Sequence, residues 1–464
     1  MQALLISTYE LGRQPFGLAS PAAWLRAAGW SVTCADLAKE RLSGDAVRAA
    51  DFIAFHLPMH TATRLAQPVI EAVRKANPAA RLCAYGLYAP LNAESLRAQG
   101  VTDILGGEFE EELAGIAASM TGQAGGAGRA GGAGGAGTIP RIHFLVPDRS
   151  GLPSLSKYAT LQDADGRTRV VGSTEASRGC RHLCRHCPVV PIYNGQFRIV
   201  QAEVVLADVA GQVAAGAEHI TFGDPDFLNG PTHALRVIEG LHAAHPGVTY
   251  DVTIKIEHLL KHRDLLPRFR ETGCAFITSA VESLDDQVLT RLEKGHTRQD
   301  FVEAVTACRA AGVVLIPTFV AFHPWLTLEG YCDLLDTLVD LDLVDHVSPI
   351  QLAIRLLIPE GSRMLELPDV RAMAGAFDAH TLTYRWAHTD PRVDELQRDV
   401  SAIVGVRLSG DRREIFNEIS AMAHERAGLP AHAAARPAIP TKVPYLSEPW
   451  YCCAEPNPEQ VMLL

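Results

Sequence analysis

Short apolar segments alternate with helical patterns along most of this chain, and this alternation constrains the fold more than any other feature. In the first part of the sequence the apolar segments lie at 3–7, 31–37, 51–57, 81–86 and 101–107. Strands that are joined through helices run parallel, so the pattern predicts a doubly wound, Rossmann-like parallel sheet in an α/β fold. Such sheets bind ligands beyond the carboxyl ends of their strands.

A second series of strands and helices follows a glycine–alanine tract at 122–137. The tract has little side chain to bury and predicts a flexible linker, although a tolerated loop insertion would look the same. Residues 158–171 predict a hairpin with an Asp165-Gly166 turn. Further strands are predicted at 219–224, 250–257, 275–282, 313–320 and 347–355. With helices between them, these strands predict a complete or partial (β/α) barrel.

These patterns and the composition together outline the protein. The predicted parts are a Rossmann-like domain (1–120), a Gly/Ala-rich linker (121–140), a partial barrel (141–360) and a C-terminal helical extension with an ordered tail (361–464). The 464 residues include 42 Lys and Arg and 53 Asp and Glu, so the net charge is −11. This acidic excess argues against a nucleic-acid partner.

The sequence shows no feature of a membrane or exported protein. No apolar segment approaches the ~18 residues of a membrane-spanning helix. The N-terminal segment lacks a basic region and carries Glu10 soon after its apolar residues, which is typical of a buried strand rather than of a signal peptide. We therefore expect a cytoplasmic protein without a membrane partner. In that reducing compartment, clustered cysteines more often bind metal or perform chemistry than form disulfides.

Cys180, Cys184 and Cys187 form a C-x3-C-x2-C motif. Three thiolates on one short loop can hold three irons of a [4Fe–4S] cluster and leave the fourth iron open to a small chelating molecule. The motif resembles that of the radical S-adenosylmethionine (radical SAM) superfamily, and the resemblance extends over about 158–360. It implies that the open iron binds the amino and carboxylate groups of SAM and that an electron from the cluster cleaves a carbon–sulfur bond.

A zinc site is the alternative interpretation of these cysteines, with His182 or His186 as the fourth ligand. Zinc sites usually pair two C-x2-C units, whereas this loop precedes repeated β/α units and would lie at the mouth of a barrel. That context favours the cluster. His186 occupies the position before the third cysteine, which is often aromatic in the superfamily.

Polar residues recur at the ends of the predicted barrel strands. Within 250–257 polar and apolar residues alternate, so the polar face is expected to line the barrel. The resemblance places 223–226 near the SAM amino group and Glu282 near the ribose, with Lys255 and Arg355 as candidates for the SAM carboxylate. The predicted cofactor-binding residues are Gly223, Asp224, Pro225, Asp226, Lys255, Glu257, Ser279, Glu282, Arg355 and His186. For any single strand-end carboxylate, a helix N-cap or a surface ion pair is the alternative.

The first domain resembles the cobalamin-binding domains that precede many radical SAM domains. The loop at 15–20 matches the loop after their first strand, and 106–110 resembles the loop near their last strand. The D-x-H-x-x-G motif that places histidine on cobalt is absent, so any cobalamin would lack a histidine ligand from that motif. The alternative is a degenerate domain that binds nothing or only docks on the barrel.

Cys452 and Cys453 are adjacent in a proline-rich tail and follow Trp450 and Tyr451. The tail resembles that of radical SAM proteins called the CUAEP/CCAEP-tail family. We predict that this thiol pair is catalytic and reaches the mouth of the barrel, where it could capture a soft substrate atom, donate a hydrogen atom or exchange with a disulfide. The alternative is an exposed, disordered tail with incidental cysteines.

These resemblances imply a radical SAM enzyme that modifies a small molecule and takes electrons from a donor such as flavodoxin or ferredoxin. The predicted cofactors are a [4Fe–4S] cluster, SAM and, if the first domain is not degenerate, cobalamin. Transfer of a methyl or aminocarboxypropyl group is one expected reaction, with a soft atom held by the tail cysteines as a candidate acceptor. The alternatives are a cobalamin-dependent methyltransferase, a tRNA- or peptide-modifying enzyme, and a non-enzymatic metal or metalloid sensor.

Overall fold

The computed structural model describes residues 1–122, 139–405, 410–430 and 443–448. The N-terminal strands are β1 (Gln2–Ser7), β2 (Ser31–Asp36), β3 (Phe52–His56), β4 (Arg81–Tyr85) and β5 (Asp103–Leu105). The helices between and after them are α1 (Phe16–Ala27), α2 (Gly44–Ala49), α3 (His60–Ala76), α4 (Tyr88–Leu91), α5 (Ala93–Ala98) and α6 (Glu110–Met120). All five strands are parallel, in the order β2-β1-β3-β4-β5. The predicted doubly wound sheet is confirmed.

Helices cover both faces of this sheet, which explains why its strands are apolar throughout. In β3, Ile53 and Phe55 pack into one core, and Phe52 and Ala54 pack into another on the opposite face. The strand order reverses between β1 and β3, and a crevice opens there at the carboxyl ends of the strands. His56 is the last residue of β3 and lies beside this crevice.

A second, curled sheet forms the partial barrel. Its strands are β6 (Thr160–Gln162), β7 (Thr168–Thr174), β10 (His219–Phe222), β11 (Thr249–Thr253), β12 (Cys274–Glu282) and β13 (Leu315–Phe319), and a small separate ribbon contains β8 (Ser177–Gly179) and β9 (Phe197–Ile199). The helices of this part are α7 (Val190–Tyr193), α8 (Ala202–Ala214), α9 (Pro231–Ala244), α10 (Ile256–Lys261), α11 (Leu266–Glu271), α12 (Asp286–Arg291), α13 (Arg298–Ala310) and α14 (Leu328–Asp340). The predicted hairpin is confirmed, since β6 and β7 are antiparallel and Gly166 has a φ of 79° in their turn.

Alternation along β11 separates the helix-covered face of the sheet from its interior. Tyr250 and Val252 belong to the main hydrophobic core, whereas Asp251 and Thr253 line a cavity inside the curl. The polar face therefore points into the barrel, as predicted. The strand is shorter than the predicted 250–257, because it ends at Thr253 and α10 begins at Ile256.

The strand predicted at 347–355 is wrong. Residues Pro349–Leu352 form a 3-10 turn, and only an isolated bridge between Phe322 and Arg355 extends the sheet. Pro349 has no backbone N–H to donate to a neighbouring strand, which favours the turn. The parallel sheet therefore ends at β13, and the barrel is partial.

The C-terminal part packs on the barrel and returns to its sheet. Its elements are α15 (Pro368–Met373), β14 (Ala374–Asp378), β15 (Thr383–Trp386), α16 (Pro391–Gly405), α17 (Arg412–Ala427) and β16 (Tyr445–Leu446). Helix α17 contacts α14, and β16 pairs antiparallel with β6 as the last strand of the order β13-β12-β11-β10-β7-β6-β16. Among the helices described, none is both long and apolar enough to cross a membrane.

Candidate active site

A cavity of about 260 Å³ lies between the carboxyl edge of the N-terminal sheet and the mouth of the curled sheet. Glu10, Arg13 and Phe16 line it from the N-terminal domain, and Lys255 and Glu282 line it from the barrel. Both sheets thus direct their carboxyl ends toward one space, which is where parallel α/β sheets bind ligands.

The predicted cluster cysteines lie together on the wall of this cavity. Cys180 and Cys184 are buried, Cys187 is half-buried, and all three line the cavity as cysteines outside any disulfide. Burial raises the pKa of the Cys180 thiol to about 11, so a bound metal is needed to hold it as a thiolate at neutral pH. Three convergent thiols on one loop are a donor set that fits a [4Fe–4S] cluster.

A glycine lets the cysteine loop turn tightly against its neighbours. Gly179 has a φ of 75°, and a Cβ there would lie 2.3 Å from the ring of Tyr193 and 2.5 Å from the carbonyl oxygen of Gln196. Beyond the turn, the Oδ1 atom of Asn229 accepts a hydrogen bond from the Arg181 backbone at 3.1 Å. The loop is therefore held in place from its first residue.

The far side of the loop is held by the barrel and by the C-terminal part. The backbone N–H of Arg185 donates to the carbonyl of Leu292 at 3.0 Å, and its guanidinium pairs with Glu293 at 2.6 Å. Arg363 donates to the carbonyl of Leu183 at 2.6 Å. Contacts from several elements thus fix the cysteines relative to the cavity.

Glu282 joins the loop to β12. Its carboxylate lies 3.0 Å from Nε2 of His186 and 3.4 Å from Nζ of Lys294, and its φ of 72° is rare for a residue with a side chain. Burial alone would raise the pKa of Glu282, but the positive charge of Lys294 and the contact with His186 lower it to about 2. Glu282 is therefore a fixed anion in the wall of the cavity.

Lys294 is a cavity residue that the sequence interpretation missed. It is buried and follows α12 in a turn, so neither strand periodicity nor a motif marks it. The predicted Lys255 lines the same cavity, with its Nζ 3.7 Å from Sγ of Cys184 and 3.7 Å from the carboxylate of Glu257. Two ammonium groups thus accompany the three thiols.

Asp226 lies in a cluster with two histidines next to the loop. Its Oδ2 lies 2.6 Å from Nδ1 of His258 and 3.4 Å from Nε2 of His182. Burial opposes ionisation, yet these contacts lower the pKa of Asp226. Ligand atoms of Cys180, His182 and Asp226 all lie within 4.8 Å of one another and could hold a single metal ion, but this set omits the other two cysteines of the motif.

The predicted segment after β10 forms another part of the cavity wall. Gly223, Asp224 and Pro225 line the cavity. Both carboxylate oxygens of Asp224 accept hydrogen bonds from the neighbouring loop, from the Ala176 backbone at 2.9 Å and from the Ser177 hydroxyl at 2.5 Å. Burial raises its pKa to about 7. Asp224 thus shapes the segment that leads to the cysteines.

Ser279 and Arg355 are not brought to the cavity. Ser279 lies between Ile277 and Val281 on the face of β12 that packs on the helices, because strand residues alternate between faces. The Arg355 guanidinium pairs with Asp394 at 2.7 Å and stacks on the Trp386 ring with its central carbon 3.6 Å from the centroid.

A buried charge network joins the N-terminal domain to the barrel. The Arg178 guanidinium contacts Glu110 at 2.6 Å, Glu175 at 2.6 Å and Glu108 at 3.3 Å. Tyr193 donates a further hydrogen bond to Glu108 at 2.9 Å. Burial raises the pKa of Glu108 to about 7 despite this arginine. The network lies beside a smaller cavity of about 110 Å³ that opens between the domains.

The tail cysteines, Cys452 and Cys453, lie outside the described residues, as do most of the predicted linker and the tail beyond residue 448. Glu448 is the last residue described, and it lies against Gly12, where a Cβ would be 2.1 Å from its Oε2. Gly12 stands between Leu11 and Arg13, which both line the main cavity. The chain therefore leaves the described region at the rim of the site.

Residues 174–338 match the Radical SAM superfamily, which identifies this part of the chain as a radical SAM domain. The segment includes the three cysteines, both cavity lysines and Glu282. Such a domain implies a [4Fe–4S] cluster and SAM as cofactors and an enzymatic role.

Characterised relatives share parts of this domain. The bacteriochlorophyllide d C-12(1)-methyltransferase of Chlorobaculum tepidum is 27% identical over 135 residues, 28% of this chain and 29% of that protein. The tRNA-2-methylthio-N(6)-dimethylallyladenosine synthase of Geobacter metallireducens is 24% identical over 170 residues, 34% of this chain and 36% of that protein. This chain thus spans less than half the length of each relative.

Solved structures with the same architecture include two cobalamin-dependent or cobalamin-bound radical SAM proteins. OxsB with aqua-cobalamin and S-adenosylmethionine bound superposes with a TM-score of 0.68 at 14% identity, covering 92% of this chain and 71% of that one. The methyltransferase TsrM from Kitasatospora setae with cobalamin and a [4Fe–4S] cluster superposes with a TM-score of 0.56 at 18% identity, covering 74% and 70%. At these identities the similarity establishes the fold.

Proposed function

We propose that this protein cleaves SAM at a [4Fe–4S] cluster held by Cys180, Cys184 and Cys187, and transfers a SAM-derived methyl or aminocarboxypropyl group to a small molecule. The observation that carries the proposal is the convergence of these three thiols on the cavity between the two domains. When bound, the cluster supplies the electron that cleaves a carbon–sulfur bond of SAM. Flavodoxin or ferredoxin in a reducing cytoplasm would supply that electron.

The charged side chains of the cavity suit SAM, which carries both charges. Lys255 and Lys294 each offer an ammonium group to a carboxylate, and Glu282 offers a fixed negative charge to hydroxyl or ammonium groups. The cavity lies under the N-terminal domain, which restricts the access of water to a reactive intermediate. We assign these three residues to SAM binding and keep the apolar remainder of the cavity for the substrate.

We further propose that cobalamin occupies the space between the two domains. OxsB and TsrM hold cobalamin in structures that share this architecture. Gly86 and Gly107, both with positive φ, line the smaller interdomain cavity at the ends of the N-terminal strands, where parallel sheets bind ligands. The D-x-H-x-x-G motif is absent, and His56 in that cavity has its Nδ1 3.2 Å from Glu10.

The tail of this chain supports membership of the CCAEP-tail radical SAM proteins, with Cys452 and Cys453 as catalytic thiols. A vicinal thiol pair suits a soft acceptor atom. The acidic net charge of −11 favours a small-molecule substrate over tRNA.

Anaerobic reconstitution of the full chain with iron and sulfide tests the proposal. We expect about four irons per chain and reductant-dependent formation of 5′-deoxyadenosine or another SAM fragment. The triple variant Cys180→Ala/Cys184→Ala/Cys187→Ala should lose both. The control Cys308→Ala, a buried thiol of α13, should keep them. Iron retained at the wild-type level in the triple variant would overturn the assignment.

A second measurement tests the cobalamin proposal. We expect the full chain to bind cobalamin and the cob(II)alamin form to show no nitrogen superhyperfine splitting from a histidine in its paramagnetic resonance spectrum. Splitting that disappears in His56→Phe would contradict the absence of a histidine ligand. Failure to bind cobalamin would reject the proposal that it occupies this space.

A further inference from the structure

A second cavity of about 50 Å³ lies inside the curl of the barrel sheet, apart from the thiols. One water molecule needs roughly 10–15 Å³ of such a cavity, so this one has room for about three to five water-sized groups. That is the size of a single oxyanion. Strands β11, β12 and β13 form its walls, and β16 and the first residue of α17 line another side. Arg13 lines both this cavity and the main one, so the two are neighbours.

Two guanidinium groups line this inner cavity without a carboxylate partner. Within the described ranges, the Arg13 side chain has no hydrogen bond or ion pair. Arg412 donates one hydrogen bond to the backbone carbonyl of Asp345 at 2.7 Å and lies 4.8 Å from the centroid of the Tyr445 ring. Burial lowers the pKa of Arg412, because its charge is poorly compensated. An unpaired guanidinium in a partly buried site favours an anionic ligand.

A row of hydroxyl groups faces the same space. Thr253 and Thr278 are directly opposite each other on β11 and β12, and Thr318 lies on the next strand. Thr278 and Thr318 are 7% and 6% exposed, yet none of the three hydroxyls has a hydrogen-bond partner among the residues that the structure describes. Hydroxyls that face a cavity without a protein partner are available to a ligand or to water.

Among the described residues that line the cavity, Asp251 is the carboxylate, and one of its two oxygens is already engaged. Oδ1 of Asp251 accepts a hydrogen bond from the Thr221 hydroxyl at 2.6 Å and lies 2.8 Å from Nε2 of His219. Those contacts are on the side of Asp251 toward β10. His346, Ser348 and Gln351 complete the polar lining. The two guanidiniums and the three threonine hydroxyls can all donate hydrogen bonds to a ligand.

We propose that the inner cavity binds an anionic group of the substrate, a carboxylate or a phosphate, through Arg13, Arg412 and the hydroxyls of Thr253, Thr278 and Thr318. This inference rests on the proposed function, because it names the chemical class of the small molecule that the enzyme modifies. Guanidinium groups recognise both oxyanions through paired N–H donors. A substrate anchored here would extend from the interior of the barrel toward the main cavity past Arg13.

Binding of two simple probes, inorganic phosphate and succinate, tests the proposal on the anaerobically purified full chain. We expect at least one probe to bind, and the preferred one to show whether the natural group is a phosphate or a carboxylate. The variant Arg13→Gln/Arg412→Gln should weaken that binding by about 10- to 100-fold. Thr278→Val, which removes one hydroxyl at nearly constant volume, should weaken it by less. The control Arg48→Gln changes the same charge on the surface of α2 and should bind like the wild type.

Three results would overturn the inference. The first is that neither probe binds the wild-type protein. The second is that the double variant binds the probe as tightly as the wild type does. The third is that the double variant loses as much affinity for SAM as for the probe. The last result would mean that the guanidiniums hold SAM. If the probes bind as expected but the wild-type protein does not cleave SAM, the anion site stands and the proposed function fails.

Discussion

The carboxylate of Glu282 lies 3.0 Å from Nε2 of His186, and this contact ties the cysteine loop to the end of β12. Lys294 completes the group at 3.4 Å. All three side chains are buried. Removing one member of such a buried group leaves the others without a partner, which destabilises the fold.

Replacing Glu282 with Gln should destabilise the fold and weaken SAM binding. The variant keeps the shape of the side chain but leaves the Lys294 ammonium buried without a carboxylate, which costs about 3–5 kcal/mol. Chemical denaturation gives the free energy of unfolding, and equilibrium titration gives the SAM affinity. Glu239→Gln is the matched control, because Glu239 forms an exposed pair with Arg268. A Glu282→Gln protein as stable as this control would contradict the role assigned to the pair.

Removing Arg178 should destabilise the fold as much as Glu282→Gln does. The change leaves the carboxylates of Glu108, Glu110 and Glu175 close together at the domain interface without a positive charge between them. We expect Arg178→Met to lower the free energy of unfolding by about 3–5 kcal/mol. Adding Glu110→Gln should recover part of that loss, since one uncompensated charge is removed. Arg167→Met, which breaks an exposed pair with Glu218, is the control. Equal stability of Arg178→Met and wild type would show that the network contributes nothing.

Asp224 should make the stability pH-dependent. Its pKa is about 7 in the folded protein against 3.8 for an unperturbed group, so the folded state holds its proton more tightly than the unfolded chain. The contribution of Asp224 to stability is therefore lost as pH rises from about 4 to about 7, by up to roughly 4 kcal/mol. Asp224→Asn has no such titration, so its free energy of unfolding relative to wild type should improve between about pH 5 and about pH 8. A constant difference across that range would refute the assignment.

Periodicity and spacing were sufficient to predict the parallel N-terminal sheet, the parallel strands β10 to β13 of the curled sheet and the position of the cysteine loop. Strand alternation also placed Asp251 and Thr253 in the interior, because a period of two fixes the face of every residue in a strand. The same rule explains why Ser279 does not reach the cavity. It lies three residues before Glu282 on β12, so its side chain is on the opposite face of the strand and faces the helices. Arg355 was chosen from a strand that Pro349 prevents from forming.

The other differences come from contacts between distant parts of the chain. Lys294 follows α12, and the folded barrel brings it to Glu282. His258 lies in the first turn of α10, and the folded barrel brings it to Asp226. The two-residue strand Tyr445–Leu446 is too short for any periodic pattern, and it is specified by its pairing with β6. Arg13 faces the barrel because the N-terminal domain packs over it. Such features depend on tertiary packing and leave no local signal.

The tail cysteines should act after SAM cleavage. Glu448 lies against Gly12 at the rim of the main cavity, and Cys452 is four residues further on, within about 14 Å of chain length. The thiol pair can therefore reach the cavity from the point where the described chain ends. A single metal-ligand role would not require two neighbouring cysteines, and a disulfide between them would be strained. These considerations favour capture of a soft atom or hydrogen-atom donation.

The variant Cys452→Ser/Cys453→Ser tests this directly. We expect it to assemble its cluster and consume SAM, but to form no labelled product when isotopically labelled SAM is supplied with a small-molecule extract. Glu455→Gln, which changes the tail and keeps both thiols, should form product at the wild-type rate. A chain truncated after Glu448 keeps β16 and should behave like the double serine variant. If the double variant makes product as fast as the Glu455→Gln control, the thiols are dispensable, whereas loss of SAM cleavage itself would place them before the radical step and contradict the order proposed.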